Sequence, residues 1–158
     1  MALVAGAFLD TSVLLAGLIE LSPASRPAQE VMTAVAEGRM RRPRTAWHCC
    51  LEFYAVATRL PEEYRLSPAD AERLIEEEII QRFQVLALPG EAHVPFLRGL
   101  AAGGVIGGRV YDAHVGEIAR QAGARLVVTD NLRHFSFLVP GGVRVVDSAT
   151  FAKELAKS

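Results

Sequence analysis

The chain has 158 residues, of which 51% are hydrophobic and 22% are charged, and its formal net charge is −1. This length and composition are typical of one globular domain with its own core, and they exclude a disordered chain. A nearly neutral chain has no overall positive field to attract nucleic acid. Any contact with RNA must therefore come from a local basic patch or from metal ions bound by acidic groups.

Strands and helices are predicted to alternate along the whole chain. A strand is predicted at 5–10, helices at 11–21 and 27–38, a strand at 42–45, helices at 46–60 and 67–83, a strand at 84–88 and a helix at 90–102. A glycine-rich loop at 103–108 then leads to a helix at 109–122, strands at 125–129 and 143–146, and a helix at 148–157. This alternation favours the α/β class. We predict a three-layer α/β/α sandwich with a mainly parallel sheet, in a single domain over residues 1–158.

The cysteines and the apolar start of the chain indicate where the protein works. Cys49 and Cys50 are adjacent, so they cannot form a disulfide framework, and we expect buried thiols in a reducing compartment. The apolar start lacks a basic segment and is interrupted by Asp10, which indicates a buried strand rather than a signal peptide. No run reaches the roughly 18 apolar residues of a membrane span. We expect a soluble, cytoplasmic protein.

Two acids follow predicted strands directly. Asp10 comes after the first strand and Asp130 after the strand at 125–129. In open α/β sheets, binding sites gather beyond the carboxyl ends of the strands. Taken alone, each acid is better explained as the N-cap of a following helix. Asp147, before Ser148, is most simply such a cap.

Two further acids lie on predicted helices, close to the apolar face. On a helix at 46–60, Glu52 lies about 60° from the centre of the apolar sector. On a helix at 109–122, Asp112 lies about 20° from Ala119, at the edge of a face that includes Tyr111. A carboxylate that faces a core needs a partner, either an arginine or a metal ion. Four acids at such positions favour a metal ion.

Carboxylates are hard oxygen ligands, and they are suited to Mg²⁺ or Mn²⁺. Hydrolysis of a phosphodiester requires neutralisation of the phosphate, activation of a water molecule and stabilisation of the leaving oxygen. One or two divalent ions can meet all three needs. The acids therefore predict a metal-dependent phosphodiesterase site.

Four short motifs carry a resemblance to a known family. They are Phe8-Leu9-Asp10-Thr11-Ser12, Leu51-Glu52-Phe53, Tyr111-Asp112-Ala113 and Val128-Thr129-Asp130-Asn131. In order, spacing and context, from residue 5 to about residue 150, the chain resembles PIN-domain ribonucleases. Its compact length resembles the VapC toxin of VapBC toxin–antitoxin pairs.

The resemblance implies a Mg²⁺- or Mn²⁺-dependent endoribonuclease that arrests translation. Asp10, Glu52 and Asp112 bind the metal in this interpretation, and Asp130 completes the site, although Asn131 is an alternative fourth ligand. The implied partners are an RNA substrate, a cognate VapB-like antitoxin and a second copy in a homodimer. Two alternatives stay open, a PIN nuclease of RNA processing without an antitoxin and a non-catalytic PIN-like binding module.

The remaining candidates have weaker patterns. The hydroxyl of Ser12 is a candidate partner for a carboxylate or for metal-bound water. A basic stretch grips phosphates or, more commonly for a charged run, forms a solvated surface; it contains Arg39, Arg41, Arg42 and Arg44. His93 and His114 have no partner at a telling spacing, and we predict no role for them.

Overall fold

The computed structural model of the chain describes residues 6–157. These contain a five-stranded sheet in the order β3-β2-β1-β4-β5, and every strand pair in it is parallel. The strands are β1 (Phe8–Leu9), β2 (Arg44–Ala46), β3 (Gln84–Leu86), β4 (Leu126–Val128) and β5 (Arg144–Val146). The central strands β1 and β4 are buried along their whole length, as expected for a sheet covered on both faces.

The helices pack against one another in two groups. They are α1 (Thr11–Leu18), α2 (Arg26–Ala36), α3 (Trp47–Ala57), α4 (Pro68–Leu74), α5 (His93–Ala102), α6 (Arg109–Gln121), α7 (Leu132–Phe135) and α8 (Ser148–Lys157). Helix α4 continues as a π-helical segment, Ile75–Ile80. One group joins α8, α2, α1, α3 and α4, and the other joins α5, α6 and α7. Right-handed crossovers between parallel strands place the groups on opposite faces of the sheet. The predicted three-layer α/β/α sandwich is confirmed.

The predicted elements are present, with shifted boundaries. Arg42 has a φ of +49° and cannot continue a strand, so β2 begins at Arg44 rather than at residue 42. The helix predicted at 11–21 ends at Leu18. Between β4 and β5 the sequence pattern missed α7 and the 3-10 turn Ser136–Gly141. Residue 5 of the first predicted strand lies outside the described residues.

Side chains cap the starts of α4 and α8, and the predicted cap at Asp147 is confirmed. Ser67 accepts a hydrogen bond from the backbone amide of Asp70 at 3.1 Å, at the start of α4. Asp147 accepts one from the amide of Thr150 at 2.8 Å, at the start of α8. Among residues 6–157, no helix is long and apolar enough to cross a membrane.

Gly17 permits a close approach of α1 to α2. A Cβ atom at this position would lie 2.3 Å from Cγ of Met32 and 2.7 Å from the carbonyl oxygen of Ala28. A side chain can move aside, but the backbone oxygen of a packed helix cannot. Helix packing on this face of the sheet therefore requires glycine at position 17.

Gly17→Ala should lower the free energy of unfolding by about 1–3 kcal/mol, because the added methyl group overpacks this helix contact. Gly99→Ala is the matched control, since Gly99 is also helical but has nothing within 4 Å of an added Cβ. The control should raise stability by up to about 1 kcal/mol, through a lower entropy of the unfolded chain. Urea unfolding followed by circular dichroism measures both. Equal stability of the two variants would contradict the close α1–α2 packing.

Candidate metal centre

The carboxyl ends of the parallel strands meet at one edge of the sheet, here called the carboxyl edge. Asp10 directly follows β1, and Thr129 and Asp130 follow β4. The register pairs Leu9 with Val128, and the amide of Asp10 donates to the carbonyl oxygen of Val128 at 3.0 Å. Strand pairing therefore places Asp10 beside Thr129 and Asp130, although 119 positions of sequence separate Asp10 from Thr129.

Asp10 is a buried carboxylate held by hydroxyl groups. Only 4% of the residue is exposed. Its Oδ2 accepts from Oγ1 of Thr129 at 2.8 Å, from Oγ of Ser12 at 2.9 Å and from the amide of Ser12 at 3.5 Å. Asp10 thus also caps α1, as the alternative interpretation expected. No cationic side chain of residues 6–157 forms an ion pair with it.

Burial raises the pKa of Asp10 above its usual range, because the charged form loses its hydration. The hydrogen bonds from Thr129 and Ser12 lower this pKa, and the negative charge of Glu52 raises it further. An ionised Asp10 is therefore costly in this position unless a positive charge is supplied.

Glu52 on α3 and Asp112 on α6 complete a group of three acids. Partial burial raises the pKa of Asp112; the neighbouring charge of His134 lowers it, and that of Glu52 raises it. Glu52 acts on both Asp10 and Asp112 and therefore lies within electrostatic range of each of them. Nδ1 of His134 lies 3.2 Å from Oδ2 of Asp112. The ion-pair partner of Asp112 is thus a histidine and not the arginine of the alternative interpretation.

Asp130 turns its carboxylate toward the start of α8. Its Oδ1 accepts from the amide of Ser148 at 2.9 Å and from the Ser148 hydroxyl at 2.8 Å. The backbone amide of Asp130 donates to Oγ of Ser12 at 3.0 Å. The backbone of Asp130 therefore joins the Asp10 network, while its side chain is engaged with Ser148. The choice between Asp130 and Asn131 as a fourth ligand stays a prediction.

The carboxylate oxygens of these acids are suited to a hard divalent cation, but the side chains are not arranged to bind one in their present conformations. Among the described residues, no group of three or more His, Cys, Asp or Glu side chains is arranged to hold a metal ion as they stand. The side chain of Glu52 is 43% exposed and that of Asp112 is 33% exposed. These two carboxylates border solvent, whereas Asp10 is fixed by its hydrogen bonds. Coordination by all three therefore requires changes in the side chains of Glu52 and Asp112.

A pair of histidines next to the acids was missed by the sequence analysis. Nδ1 of His48 lies 3.0 Å from Nδ1 of His114, and Nε2 of His48 lies 3.9 Å from Oε2 of Glu52. Burial and the charges of His48 and His93 lower the pKa of His114. Their positions in the sequence could have indicated that these histidines lie near the acids. His48 precedes Glu52 by one helical turn, and His114 follows Asp112 by two residues.

Tyr111 was predicted to face the core, and this prediction is wrong. The residue is 59% exposed and its ring centroid lies 5.7 Å from that of His48. The predicted buried thiols are confirmed for Cys49 and Cys50, and burial raises their pKa values to about 12 and about 11.

The basic stretch lies away from the acids. Arg41 and Arg42 are exposed and precede β2, at the edge of the sheet opposite the carboxyl edge. Arg44 is used internally, because its guanidinium donates to the carbonyl oxygens of Gly6 at 2.9 Å and Ala122 at 2.6 Å. Of the two interpretations of this stretch, the solvated surface fits its position better than a grip on phosphates beside the acids.

The chain is similar to known proteins in sequence and in fold. The sequence profile of the PIN domain matches residues 7–136. Ribonuclease VapC27 of Mycobacterium tuberculosis is 35% identical over 121 residues, which cover 77% of this chain and 82% of the relative. Ribonuclease VapC40 of the same species is 32% identical over 121 residues, covering 77% of this chain and 84% of the relative.

Solved structures show the same fold. PAE2754 from Pyrobaculum aerophilum superposes with a TM-score of 0.61 at 18% identity, covering 100% of both chains. VapC20 of Mycobacterium tuberculosis, described as a toxin that cleaves the sarcin–ricin loop, gives a TM-score of 0.61 at 17% identity over 88% of this chain and 99% of that one. VapBC2 from Rickettsia felis, bound to a promoter DNA fragment, gives a TM-score of 0.59 at 11% identity over 89% and 97%.

The raised pKa of Asp10 predicts how stability depends on pH in a chelator. An unfolded Asp titrates at about 3.9, so between that pH and the raised pKa the folded chain binds more protons than the unfolded chain. The stabilising contribution of the protonated carboxyl is lost as pH rises through this window. Asp10→Asn removes the costly charge and keeps an acceptor for Thr129 and Ser12. It should therefore be more stable than wild type at pH 8, and the difference should shrink as the pH falls through the raised pKa of Asp10.

Urea unfolding at several pH values measures this difference. Asp70→Asn is the control, because Asp70 is exposed and only pairs with Arg73 on its own helix. A lower stability of Asp10→Asn than of wild type at pH 8 would contradict a destabilising Asp10 charge.

Proposed function

This chain belongs to the PIN-domain family, and from that premise we propose that it is a Mg²⁺- or Mn²⁺-dependent endoribonuclease. We further propose that it acts as the toxin of a type II toxin–antitoxin pair. Its similarity to ribonucleases VapC27 and VapC40 over 77% of its length supports a ribonuclease. The compact domain, whose fold VapBC proteins share, supports the toxin role.

The observation that carries the proposal is the position of Asp10. A carboxylate that is only 4% exposed and has a raised pKa is costly to ionise despite its hydroxyl partners, and a bound cation would offset this cost. Glu52 acts electrostatically on both Asp10 and Asp112. Asp10, Glu52 and Asp112 would hold the metal directly or through water, and Asp130 or Asn131 would complete the site. A divalent cation bound there supplies charge to neutralise a phosphate and lowers the pKa of a water molecule.

The neighbouring residues position the acids. Thr129 and Ser12 donate to the same oxygen of Asp10, so they fix the orientation of its carboxylate. Ser12 also accepts from the amide of Asp130, which ties the ends of β1 and β4 together. His134 beside Asp112 favours the ionised form of that carboxyl. The hydrogen bonds from Thr129 and Ser12 thus preorganise Asp10 before a substrate binds.

Partners and location follow from the proposed role. A VapB-like antitoxin would restrain the nuclease, and a second copy of the chain would form a homodimer in the cytoplasm. The alternative is an RNA-processing nuclease of the same family without an antitoxin. Both roles would use the same site. They differ in the partner and in the effect of expressing the protein on growth.

Asp10→Asn and Asp112→Asn should each reduce the rate of RNA cleavage by at least about 100-fold, because removal of a metal-binding carboxylate costs more than the 10–100-fold typical of its supporting residues. Cleavage of a labelled RNA in Mg²⁺ or Mn²⁺, with and without a chelator, measures the effect. Asp70→Asn should cleave like wild type. Near-wild-type cleavage by both site variants would refute the assignment of these acids.

Expression of the wild-type protein alone should stop bacterial growth, whereas Asp10→Asn at the same protein level should not. A small open reading frame next to the gene should restore growth when it is expressed together with the toxin. Growth curves and mapping of RNA 5′ ends measure both effects. Normal growth with a protein that cleaves RNA in vitro would favour the RNA-processing alternative.

A further inference from the structure

A pocket of about 720 Å³ adjoins Asp112 on the side of α7. We call it the α6–α7 pocket, and its walls include Val105, Arg109, Asp112, Arg133, His134 and Phe137. The volume lies within the roughly 300–1,000 Å³ of typical ligand pockets. Because Asp112 forms part of its wall, a ligand in this pocket lies next to the proposed metal centre.

Two arginine side chains without acidic partners in the described part of the chain line one part of this pocket. The guanidinium groups of Arg109 and Arg133 are in exposed residues, and within residues 6–157 neither forms a hydrogen bond or an ion pair. Arg73 and Arg120, by contrast, are paired with acids of their own helices. His134 also lines the pocket, and its Nδ1 lies 3.2 Å from Oδ2 of Asp112. The local basic patch that an RNA contact requires is thus present here, in a chain with a net charge of −1.

An aromatic ring forms another part of the wall. Phe137 is 51% exposed, and its ring is stacked on that of Phe135 with centroids 6.2 Å apart. The ring also packs against α6 at Gly116, where an added Cβ would lie 2.4 Å from Cζ of Phe137. Phe137 is therefore held in place by packing while half of the residue stays accessible. A fixed, accessible ring is a platform for an unstacked nucleobase.

We propose that the α6–α7 pocket binds the nucleotide that adjoins the scissile phosphodiester in single-stranded RNA. Arg109 and Arg133 each bind one of the backbone phosphates at this nucleotide, since the guanidinium fork matches phosphate oxygens. Its base stacks on Phe137, which requires a base outside a duplex. The inference rests on the proposed function and adds to it a site for the substrate.

The test measures RNA binding in a chelator, so that cleavage does not enter the result. The probe is a short fluorescein-labelled single-stranded RNA, followed by fluorescence anisotropy. The double variant Arg109→Gln/Arg133→Gln should weaken binding by about 10-fold or more. The slope of the log binding constant against the log salt concentration should also become less steep by about 1.4, or about 0.7 for each lost phosphate contact. Phe137→Leu should weaken binding by roughly 5-fold or more while keeping an apolar side chain against Gly116.

Arg125→Gln is the matched control. Arg125 is also exposed and without a side-chain partner among the described residues, but it precedes β4 at the edge opposite the acids. This variant should bind the RNA like wild type. Thermal melts identify any variant that fails to fold, and the single variants Arg109→Gln and Arg133→Gln then replace the double variant, each with a slope reduced by about 0.7.

Wild-type affinity in the folded arginine variants would overturn the proposal, as would an equal loss in Arg125→Gln. If the arginine variants bind RNA normally but no longer bind the antitoxin, the pocket is a binding site for a protein partner. This result would also overturn the proposal. In each of these cases a wild-type protein that still cleaves RNA leaves the proposed function intact. If the wild type neither binds nor cleaves RNA, the proposed function fails, and this inference fails with it.

Discussion

The carboxyl group of Asp10 is held at the buried end of β1 by hydrogen bonds from Thr129 and Ser12, and the architecture of the site depends on this arrangement. Parallel pairing of β1 with β4 brings Thr129 to Asp10, and burial of both strands excludes the water that would otherwise solvate the charge. The same pairing sets the position of Asp130. The order of the sheet thus determines both where the acids meet and why one of them is costly to ionise.

The other two acids approach this fixed group from helices rather than from strands. Glu52 lies on α3 and Asp112 on α6, and the packing groups place these helices on opposite faces of the sheet. Each carboxylate borders solvent, so each can change its side-chain conformation at a small cost in packing. A rigid, desolvated acid with two adjustable neighbours suits a cation that a substrate phosphate must also reach. The histidines at positions 48 and 134 adjoin the adjustable acids rather than Asp10.

Much of the fold was predictable because its signals are local. The alternation of strands and helices, the caps at Ser67 and Asp147, and the acids after β1 and β4 can be read from short stretches of sequence. The His48–His114 contact joins residues 66 positions apart, and only the three-dimensional fold brings these two side chains together. Asp130 accepts a hydrogen bond from Ser148 only when β4 and β5 are paired. Helical periodicity assigned Tyr111 to the core because periodicity does not show which residues of an apolar helix face are covered by other elements.

The central claim is that Asp10, Glu52 and Asp112 together bind a divalent cation, and direct titration of Mn²⁺ into the metal-free protein tests it. Isothermal titration calorimetry should show saturable binding to the wild type, in competition with Mg²⁺. Glu52→Gln should bind at least about 10-fold more weakly, since a ligand should matter no less than its supporting residues do. A wild-type protein that binds no Mn²⁺, or a Glu52→Gln variant that binds it as tightly, would contradict the account.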